Sequence, residues 1–364
     1  MARRQKGRTF IEKPPPDESQ LSFFAQPVFD VALKDERETM ERPFLCVHRK
    51  PSDKPIKYRS SDGSVAVDVF PHPDFGLATI NDWDIVIWAA SVIWDQINET
   101  GKAPSRTIGF HPHNLLRAIG REPGGGTSYQ KLAGALDRLQ STTVKTSIRA
   151  EKNVHRTFSW IDEWERVDDG DPQNPKHWSI TLCKWLYEGI TDETKILSLH
   201  PEYFRLSNET DKWLYRLARK HAGQQRKGFR ISLKELHRKN GTTRAFRKWK
   251  YDMKPRLTNQ IILDYSFDMY ENRSGDLIVH MIRGNLAESF VSGPSKEEQV
   301  KQSHQRALKA ARLPPEKRQA YWKAELGKHD RRKENASRYA DLHQAAREQH
   351  SAEAPSPPAN GTTA

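Results

Sequence analysis

Residues 229–255 have the sequence FRISLKELHRKNGTTRAFRKWKYDMKP, and this stretch decides the fold. Ser232 followed by Glu235 is a capping box, which predicts that a helix begins directly after the serine. The dipeptide Asn240-Gly241 is a C-cap signal that ends this helix. Because a second helical pattern follows the glycine at once, the stretch predicts a helix-turn-helix.

The second helix of this pair separates apolar from basic residues. We expect Thr242 or Thr243 to cap it and Pro255 to mark its limit. Apolar side chains recur at i, i+3 and i+7 and predict one buried face, formed by Phe246, Trp249 and Met253. The opposite face carries three cations and one tyrosine with no acid among them, namely Arg244, Arg247, Lys248 and Tyr251, and Lys254 lies at its edge.

This basic face has the position and chemistry of a DNA-reading surface. In a helix-turn-helix the second helix lies in the major groove, with its N-terminal residues nearest the base edges. Arg244 and Arg247 are therefore candidates for bidentate contact to guanine. The alternative is a solvated basic surface without a partner. The predicted phosphate contacts are Lys248, Lys250 and Lys254, and Thr243 and Tyr251 complete the predicted interface.

Further elements flank this helix pair on both sides. Residues 209–221 predict an amphipathic helix before it, and the strand-like runs 261–270 and 277–282 predict a β-hairpin after it. Arg273 lies in the predicted turn, from which we expect it to reach a phosphate or the minor groove. Three helices and a hairpin in this order are typical of a winged-helix domain, which we assign to 207–291.

The same order of patterns occurs once more upstream. Residues 81–98 predict a helix that is apolar nearly all round and therefore lies at the centre of a core. A short helix follows over 112–119. The capping box Thr127-x-x-Gln130 then predicts a helix through residue 140. Strand-like alternation over 144–160, interrupted by a turn, predicts a hairpin.

This first copy, assigned to 21–182, offers a weaker predicted interface. The exposed face of its last helix carries few cations. A DNA-contacting surface and an ordinary solvated surface therefore explain this face about equally well. Charged hairpin tips are also common without a partner. The candidate DNA-contacting residues of this copy are Thr127, Gln130, Lys131 and Arg138 on the helix, with Lys152 and Arg156 in the hairpin.

These patterns predict an α+β protein with two tandem winged-helix domains. The linker 183–206 contains apolar residues of its own, so we expect it to pack against the domains and fix their relative orientation. Residues 1–20 are basic and proline-rich and predict a flexible arm. Residues 292–364 form a charged tail with no face wide enough for a core, which predicts partial helix or disorder.

The composition favours a nucleic-acid partner over a membrane. The chain has 364 residues and a formal net charge of +13, which favours an anionic partner. No apolar run approaches the ~20 residues of a spanning helix, and no signal segment follows the basic start. The two cysteines, Cys46 and Cys183, are too few for a disulfide framework or a zinc site. We therefore expect a cytoplasmic protein without a cofactor or metal.

Two short patterns suggest catalysis but have a simpler explanation. His111-Pro112-His113 is similar to the paired metal-binding histidines of rolling-circle endonucleases, and Tyr251 is similar to their nucleophile. In those enzymes the histidines lie on a central strand, where proline would remove a hydrogen bond. We expect instead that His111 caps a helix that Pro112 begins. We expect the protein not to be an enzyme, since no Gly-x-x-x-x-Gly-Lys phosphate loop occurs either.

Three stretches resemble the plasmid replication initiator protein A family: LSFF at 21–24, LDRLQSTTVKT at 136–146 and FRISLKEL at 229–236. The resemblance extends over about residues 20–290 and contains no single diagnostic motif. It implies binding of double-stranded DNA at repeated sites of a plasmid origin, opening of adjacent DNA, and recruitment of the host initiator and replicative helicase. It also implies repression of the protein's own promoter, commonly by a homodimer.

Three functions stay open at this point: an origin-binding initiator, a transcriptional repressor and a DNA-nicking enzyme. Direct repeats in the bound DNA would favour the initiator, and a single palindrome would favour the repressor. Metal-dependent cleavage of one strand would establish the enzyme.

Overall fold

The structure is a computed structural model that describes residues 31–152, 154–167 and 177–284. Within these ranges the strands form four antiparallel sheets combined with helices, so the α+β class is confirmed. The predicted arm 1–20 and tail 292–364 lie outside the described residues. No helix in the described ranges is long and apolar enough to cross a membrane.

We call residues 34–182 the first region. Its elements in chain order are β1 (Lys34–Glu36), α1 (Arg37–Glu41), β2 (Ile56–Arg59), β3 (Ala66–Phe70), α2 (Trp83–Thr100), β4 (Thr107–Phe110), α3 (Pro112–Ala118), α4 (Gly125–Ser141), β5 (Thr143–Thr146), β6 (Arg156–Phe158), β7 (Ile161–Val167) and β8 (His177–Leu182).

The remaining elements belong to a connecting segment and to a second region that begins at residue 207. They are α5 (Lys184–Ile190), β9 (Ile196–Ser198), a 3₁₀ turn (Pro201–Arg205), α6 (Glu209–Ala222), β10 (Phe229–Ser232), α7 (Leu233–Asn240), α8 (Phe246–Leu257), β11 (Gln260–Ile262), β12 (Tyr265–Glu271) and β13 (Leu277–Arg283).

The two regions repeat one order of elements and one order of strands. The first region runs α2, β4, α3, α4, β7 and β8, with β8 hydrogen-bonded between β4 and β7. The second region runs α6, β10, α7, α8, β12 and β13, with β13 hydrogen-bonded between β10 and β12. A repeat is therefore present, as the sequence predicted, but β5 and β6 lie between α4 and β7 in the first region and β11 lies between α8 and β12 in the second.

The hairpin that completes the repeated unit of the first region is not the predicted one. It consists of β7 and β8, and its tip, 168–176, lies outside the described residues. The predicted run 144–160 instead contains β5 and β6, which pair with each other and extend the sheet β2-β3-β5-β6. A hairpin therefore forms over the predicted run, but its assignment to the repeated unit is wrong, because alternation indicates a half-buried strand and not the sheet that the strand joins. Lys152 and Arg156 consequently lie in the β5–β6 hairpin, apart from the repeated unit.

The predicted start of α4 is also wrong. The helix begins at Gly125 with Gly124 as its N-cap, so Thr127 lies inside the first turn and the capping box with Gln130 does not form. Glycine adopts helical angles without a side chain to restrict it, which lets the helix begin before the threonine. The hydroxyl of Ser128 donates to the carbonyl of Gly124 (3.1 Å).

The core of the first region forms around α2 and an aromatic cluster. Helix α2 is buried along most of its length, as predicted. Trp83 meets Trp160 edge to face with ring centroids 4.7 Å apart, and Trp185 of α5 stacks on Phe158 at 4.8 Å. Strand β9 pairs with β1. The connecting segment therefore packs on the first region, as the sequence predicted.

Helix α6 joins the two regions through a row of cations. Lys212, Arg216 and Lys220 recur every four residues and therefore share one face of the helix. Each pairs with an acid of the first region, and these acids are Asp84 (2.6 Å), Asp35 (2.6 Å) and Glu41 (3.0 Å). Removing one partner of a buried ion pair costs about 3–5 kcal/mol, because the other charge stays buried without compensation.

The pair at the centre of this row is the most completely hydrogen-bonded. Both side chains are almost fully buried. Asp35 also accepts from the indole N–H of Trp83 (2.9 Å), and Arg216 also donates to the hydroxyl of Thr39 (3.0 Å). A buried charge pair is stabilising only when such additional bonds satisfy its remaining donors and acceptors.

The pair at the end of the row involves a small cluster of charge. Burial alone would raise the pKa of Glu41, but the positive charges of Lys239, Arg42 and Lys220 outweigh burial and lower its pKa to about 2. The amino group of Lys239, at the end of α7, lies 3.1 Å from the carboxylate. Glu41 therefore holds two helices of the second region at once.

We predict that this cluster makes the protein sensitive to acid. The pKa of Glu41 is lower in the fold than the ordinary 4.5, so its contribution is present above pH 4.5 and is lost as the pH falls through about 2. The contribution amounts to up to about 3 kcal/mol. Urea unfolding of wild type and Glu41→Gln across this pH range measures it. The variant should be less stable at neutral pH and lose less on acidification, and equal pH dependence of the two proteins would contradict the assignment.

Candidate nucleic-acid interface

The first helix of the predicted helix-turn-helix has the predicted limits. The hydroxyl of Ser232 accepts from the backbone N–H of Glu235 (3.2 Å), and α7 begins at the next residue. The carboxylate of Glu235 pairs with Arg238 (2.7 Å). Gly241 follows the helix with a φ of +70°, the left-handed conformation that ends helices.

The turn after α7 lies against the first region. A side chain on Gly241 would place its Cβ 2.6 Å from Cβ of Pro43 and 3.0 Å from Cγ2 of Ile56, so only glycine allows this approach. Arg238 donates to the backbone carbonyl of Arg59 and thereby covers the free edge of β2. The position of the helix pair is therefore fixed by contacts outside its own domain.

The start of α8 differs from the prediction. Ala245 is the N-cap and makes no side-chain bond, so Thr243 lies in the turn before the helix. The hydroxyl of Thr242 is used within the turn, where it accepts from the N–H of Arg244 (3.2 Å). The ring of His237 bonds the carbonyl of the same arginine (2.9 Å). Because these contacts hold the turn, neither threonine caps α8.

The end of α8 also lies beyond the prediction. Pro255 stands inside the last turn, and the helix continues to Leu257. Leu257 is fully buried, and Arg256 pairs with Asp211 of α6 at 2.6 Å. These contacts outweigh the single backbone hydrogen bond that the proline removes.

The two faces of α8 are separated as predicted. Trp249 and Met253 are buried, and Trp249 meets the ring of His237 edge to face at 4.9 Å. Tyr251 is 81% exposed. Arg247, Lys248 and Lys254 are exposed, and Lys250 is half-buried beside the apolar face. In the part of the chain that the structure describes, no acid pairs with any of these four cations.

One acid was missed on this face. Asp252 lies 2.6 Å from the guanidinium of Arg244, and both side chains are about 40% exposed. Arg244 precedes the helix, so its long side chain runs along the outer face and reaches a residue two turns away. The expectation of a face without acid is therefore wrong, and Arg244 is held in one orientation by its partner.

The equivalent helix of the first region is less basic than predicted. Thr127, Gln130 and Lys131 are exposed on α4. Arg138, however, forms two bonds of 2.8 Å to Asp82 and is only 21% exposed. Its guanidinium joins α4 to the start of α2, because Asp82 is the N-cap of that helix. The guanidinium of Arg138 is therefore used in an ion pair within the fold.

The predicted hairpin contacts have different surroundings. Arg273 is exposed at the tip of β12–β13, where the side chain of Asn272 accepts two backbone N–H groups and shapes the turn. Lys152 is exposed near the tip of β5–β6. Arg156 lies 3.6 Å from Glu188, and both side chains are less than half exposed.

The histidine pattern lies at a helix start. The ring of His111 accepts from the N–H of His113 (3.3 Å), and Pro112 is the first residue of α3. The predicted cap is therefore confirmed. Among the residues that the structure describes, no group of three or more His, Cys, Asp or Glu could hold a metal ion.

A cleft beside α8 was not predicted. One wall is a segment of the first region near residues 45–56, and the other is the turn 240–244. Its polar lining includes His48, Ser52 and Lys54, opposite Thr242 and Arg244. The run of cations at 48–54 is visible in the sequence, but a charged loop that contains proline is typical of any solvated surface. Its contact with a turn almost 200 residues away has no local signal.

The comparisons with known proteins agree on a family. The family model for replication initiator protein A matches residues 34–267. A putative replication protein of Wigglesworthia glossinidia brevipalpis is 31% identical over 255 residues, which cover 69% of this chain and 90% of that protein.

Solved structures with a similar arrangement include crystal structures of domains 2 and 3 of RctB. The selenomethionine derivative has a TM-score of 0.45 and 12% identity, and it covers 66% of this chain and 95% of that chain. A second structure of these domains has a TM-score of 0.38 at the same identity and coverage. On the match of the family model and the identity to the curated relative, this chain belongs to the replication initiator protein A family, and its role lies in the initiation of DNA replication.

Proposed function

We propose that the protein binds double-stranded DNA at repeated sites of a plasmid origin and, once bound, promotes opening of the adjacent DNA and recruitment of the host helicase. The observation that carries the proposal is the surface of α8, where the exposed Arg247, Lys248 and Lys254 have no acidic partners in the described residues. Phosphate contacts of this kind supply the sequence-independent part of DNA affinity.

The two repeated units support a pair of winged helices. Each has three helices, a first strand between the first two helices, and a hairpin whose second strand pairs with that first strand. In this arrangement α8 and α4 are the recognition helices, and β12–β13 is a wing that carries Arg273. The second unit is the stronger DNA-binding module because its recognition helix retains its cations.

Base recognition is assigned to the first residues of α8. A guanidinium presents a planar fork of donors that matches O6 and N7 of guanine. Arg247 lies in the first turn and is exposed. The pair between Arg244 and Asp252 reduces the freedom of the second guanidinium, so less entropy is lost when its remaining donors meet a base.

We further propose that both modules meet one face of the duplex. The row of ion pairs on α6 and the close approach at Gly241 support a fixed relation between the regions. Two rigidly related recognition helices reach successive major grooves about 10–10.5 base pairs apart. One chain should therefore occupy roughly two turns of DNA.

Catalysis has no part in this proposal. His111 is used as a helix cap, and Tyr251 belongs to the outer face of α8, where it can contact a sugar or a thymine methyl group. The protein is proposed to act by binding alone.

Footprinting on the DNA that flanks the gene tests the proposal. Protection of several direct repeats would support an initiator. Protection of one palindrome would favour a promoter repressor, and an absence of protection under low-salt conditions would reject DNA binding.

Arg247→Ala should weaken binding to the protected site by on the order of 1–3 kcal/mol and relax the preference at one base pair. Arg247→Lys is the matched control, since it keeps the charge but loses the bidentate fork. Binding isotherms on the wild-type site and on single-base variants measure both effects. Full specificity in the lysine variant would show that position 247 meets phosphate rather than a base.

Insertion of half a helical turn, about 5 base pairs, between the two protected patches should abolish tight binding because it rotates one groove to the far side. Insertion of a full turn should be less damaging. Gel-shift titrations on the three duplexes make the comparison. Tight binding to the half-turn duplex would mean that only one module contacts DNA or that the modules are flexibly joined.

Tyr251→Phe should leave plasmid replication largely intact, and neither protein should form a covalent adduct with DNA in magnesium or manganese. Denaturing gels of labelled duplex and single strands detect such an adduct. An adduct formed by wild type and absent from Tyr251→Phe would establish a nicking enzyme.

A further inference from the structure

The segment 48–54, here called the basic loop, is an exposed cationic surface that the proposed interface does not use. Arg49, Lys50 and Lys54 are all exposed, and Asp53 is the one acid of the loop. Within the described ranges none of the three cations forms an ion pair. Elsewhere in the first region several basic side chains have acidic partners, so this loop holds an excess of positive charge.

The basic loop is held in place by its backbone. The carbonyl of Ser52 accepts from the N–H of Leu77 (2.9 Å), and its hydroxyl accepts from the N–H of Lys54 (3.1 Å). Gly76, with a φ of +74°, approaches so closely that a Cβ there would lie 2.8 Å from Cβ of Pro51. A loop fixed in this way presents its charges at little further entropic cost.

The basic loop also lies beside the start of the recognition helix. Three of its residues, His48, Ser52 and Lys54, line the cleft whose other wall is the turn that leads into α8. Burial, together with the nearby charge of Arg244, lowers the pKa of His48, so this histidine is neutral at physiological pH and adds no charge. The end of α8 that would enter the major groove first is therefore flanked by the loop.

We propose that the basic loop binds the phosphate backbone of duplex DNA at the edge of the groove that α8 enters. The inference rests on the proposed function and adds a DNA contact from the first region to the site of the second. Three flexible cations on a rigid loop match phosphates, which carry no sequence information. The loop therefore raises affinity for every sequence and positions α8 in the groove.

The test compares two duplexes of about 30 base pairs, roughly three helical turns, one containing the footprinted site and one with that site scrambled. The combined variant Arg49→Ala, Lys50→Ala and Lys54→Ala should bind both more weakly by a similar factor. The slope of log affinity against log salt should become shallower by about 0.9 for each lost phosphate contact.

Two further variants control for charge and for folding. Asp53→Asn removes the one negative charge of the loop and therefore makes the loop more positive, so it should strengthen binding to both duplexes. Lys102→Ala removes an exposed charge that lies outside the basic loop and should leave the salt slope unchanged. Melting temperatures equal to wild type establish that the variants are folded.

The outcomes separate this inference from the proposed function. If wild type binds neither duplex, the proposed function fails. If Arg247→Ala weakens binding while the triple variant and Asp53→Asn match wild type, the basic loop does not contact DNA and only the inference is overturned. A triple variant that loses affinity for the footprinted site alone would assign the loop to base recognition and would also overturn the phosphate role.

Discussion

The orientation of the two regions depends on the row of Lys212, Arg216 and Lys220 against three acids of the first region. Hydrophobic contacts alone are tolerant of small shifts between packed elements, whereas buried charges are not. A displacement of α6 by one helical turn would leave one cation and one acid unpaired, at a cost of about 3–5 kcal/mol for each broken pair. The spacing of the three pairs therefore selects a single register, and hydrophobic burial around it supplies the stability.

The position of the proposed DNA-binding helix pair depends on how α6 is fixed against the first region. Helix α7 continues from α6 and β10, so fixing α6 brings the turn at Gly241 against Pro43 and Ile56. The same placement lets Arg238 cover the edge of β2 and creates the cleft beside α8. A loop of the first region thereby becomes part of the surroundings of a helix in the second. The proposed DNA-facing surface is therefore formed by the two regions together and not by either repeat alone.

The sequence was sufficient to predict those features that depend only on residues near one another in the chain. The cap of α7, its glycine end and the two faces of α8 all depend on residues within a few positions of one another, and each was predicted. The β5–β6 hairpin was predicted but assigned to the wrong sheet, because its partner strand β3 lies some 75 residues earlier. Cations spaced by four on α6 have the pattern of a solvated helix face, and only their distant acids reveal a buried role. The pair of Arg244 with Asp252 was missed because the helix starts later than the threonines suggested.

The charged side chains of the two repeated units have different roles: some form ion pairs within the fold, and others stay exposed. In the first region Arg138 is bound to Asp82 and joins α4 to α2, which leaves Lys131 as the exposed cation on that helix face. In the second region the cations of α6 and the end of α7 hold the regions together, while those of α8 stay outward. A helix whose arginine is committed to the fold can still occupy a groove through polar contacts, but it contributes little electrostatic affinity. In the proposed function the recognition helix of the second unit therefore supplies more of the electrostatic attraction than that of the first, and the first region adds to it through the basic loop.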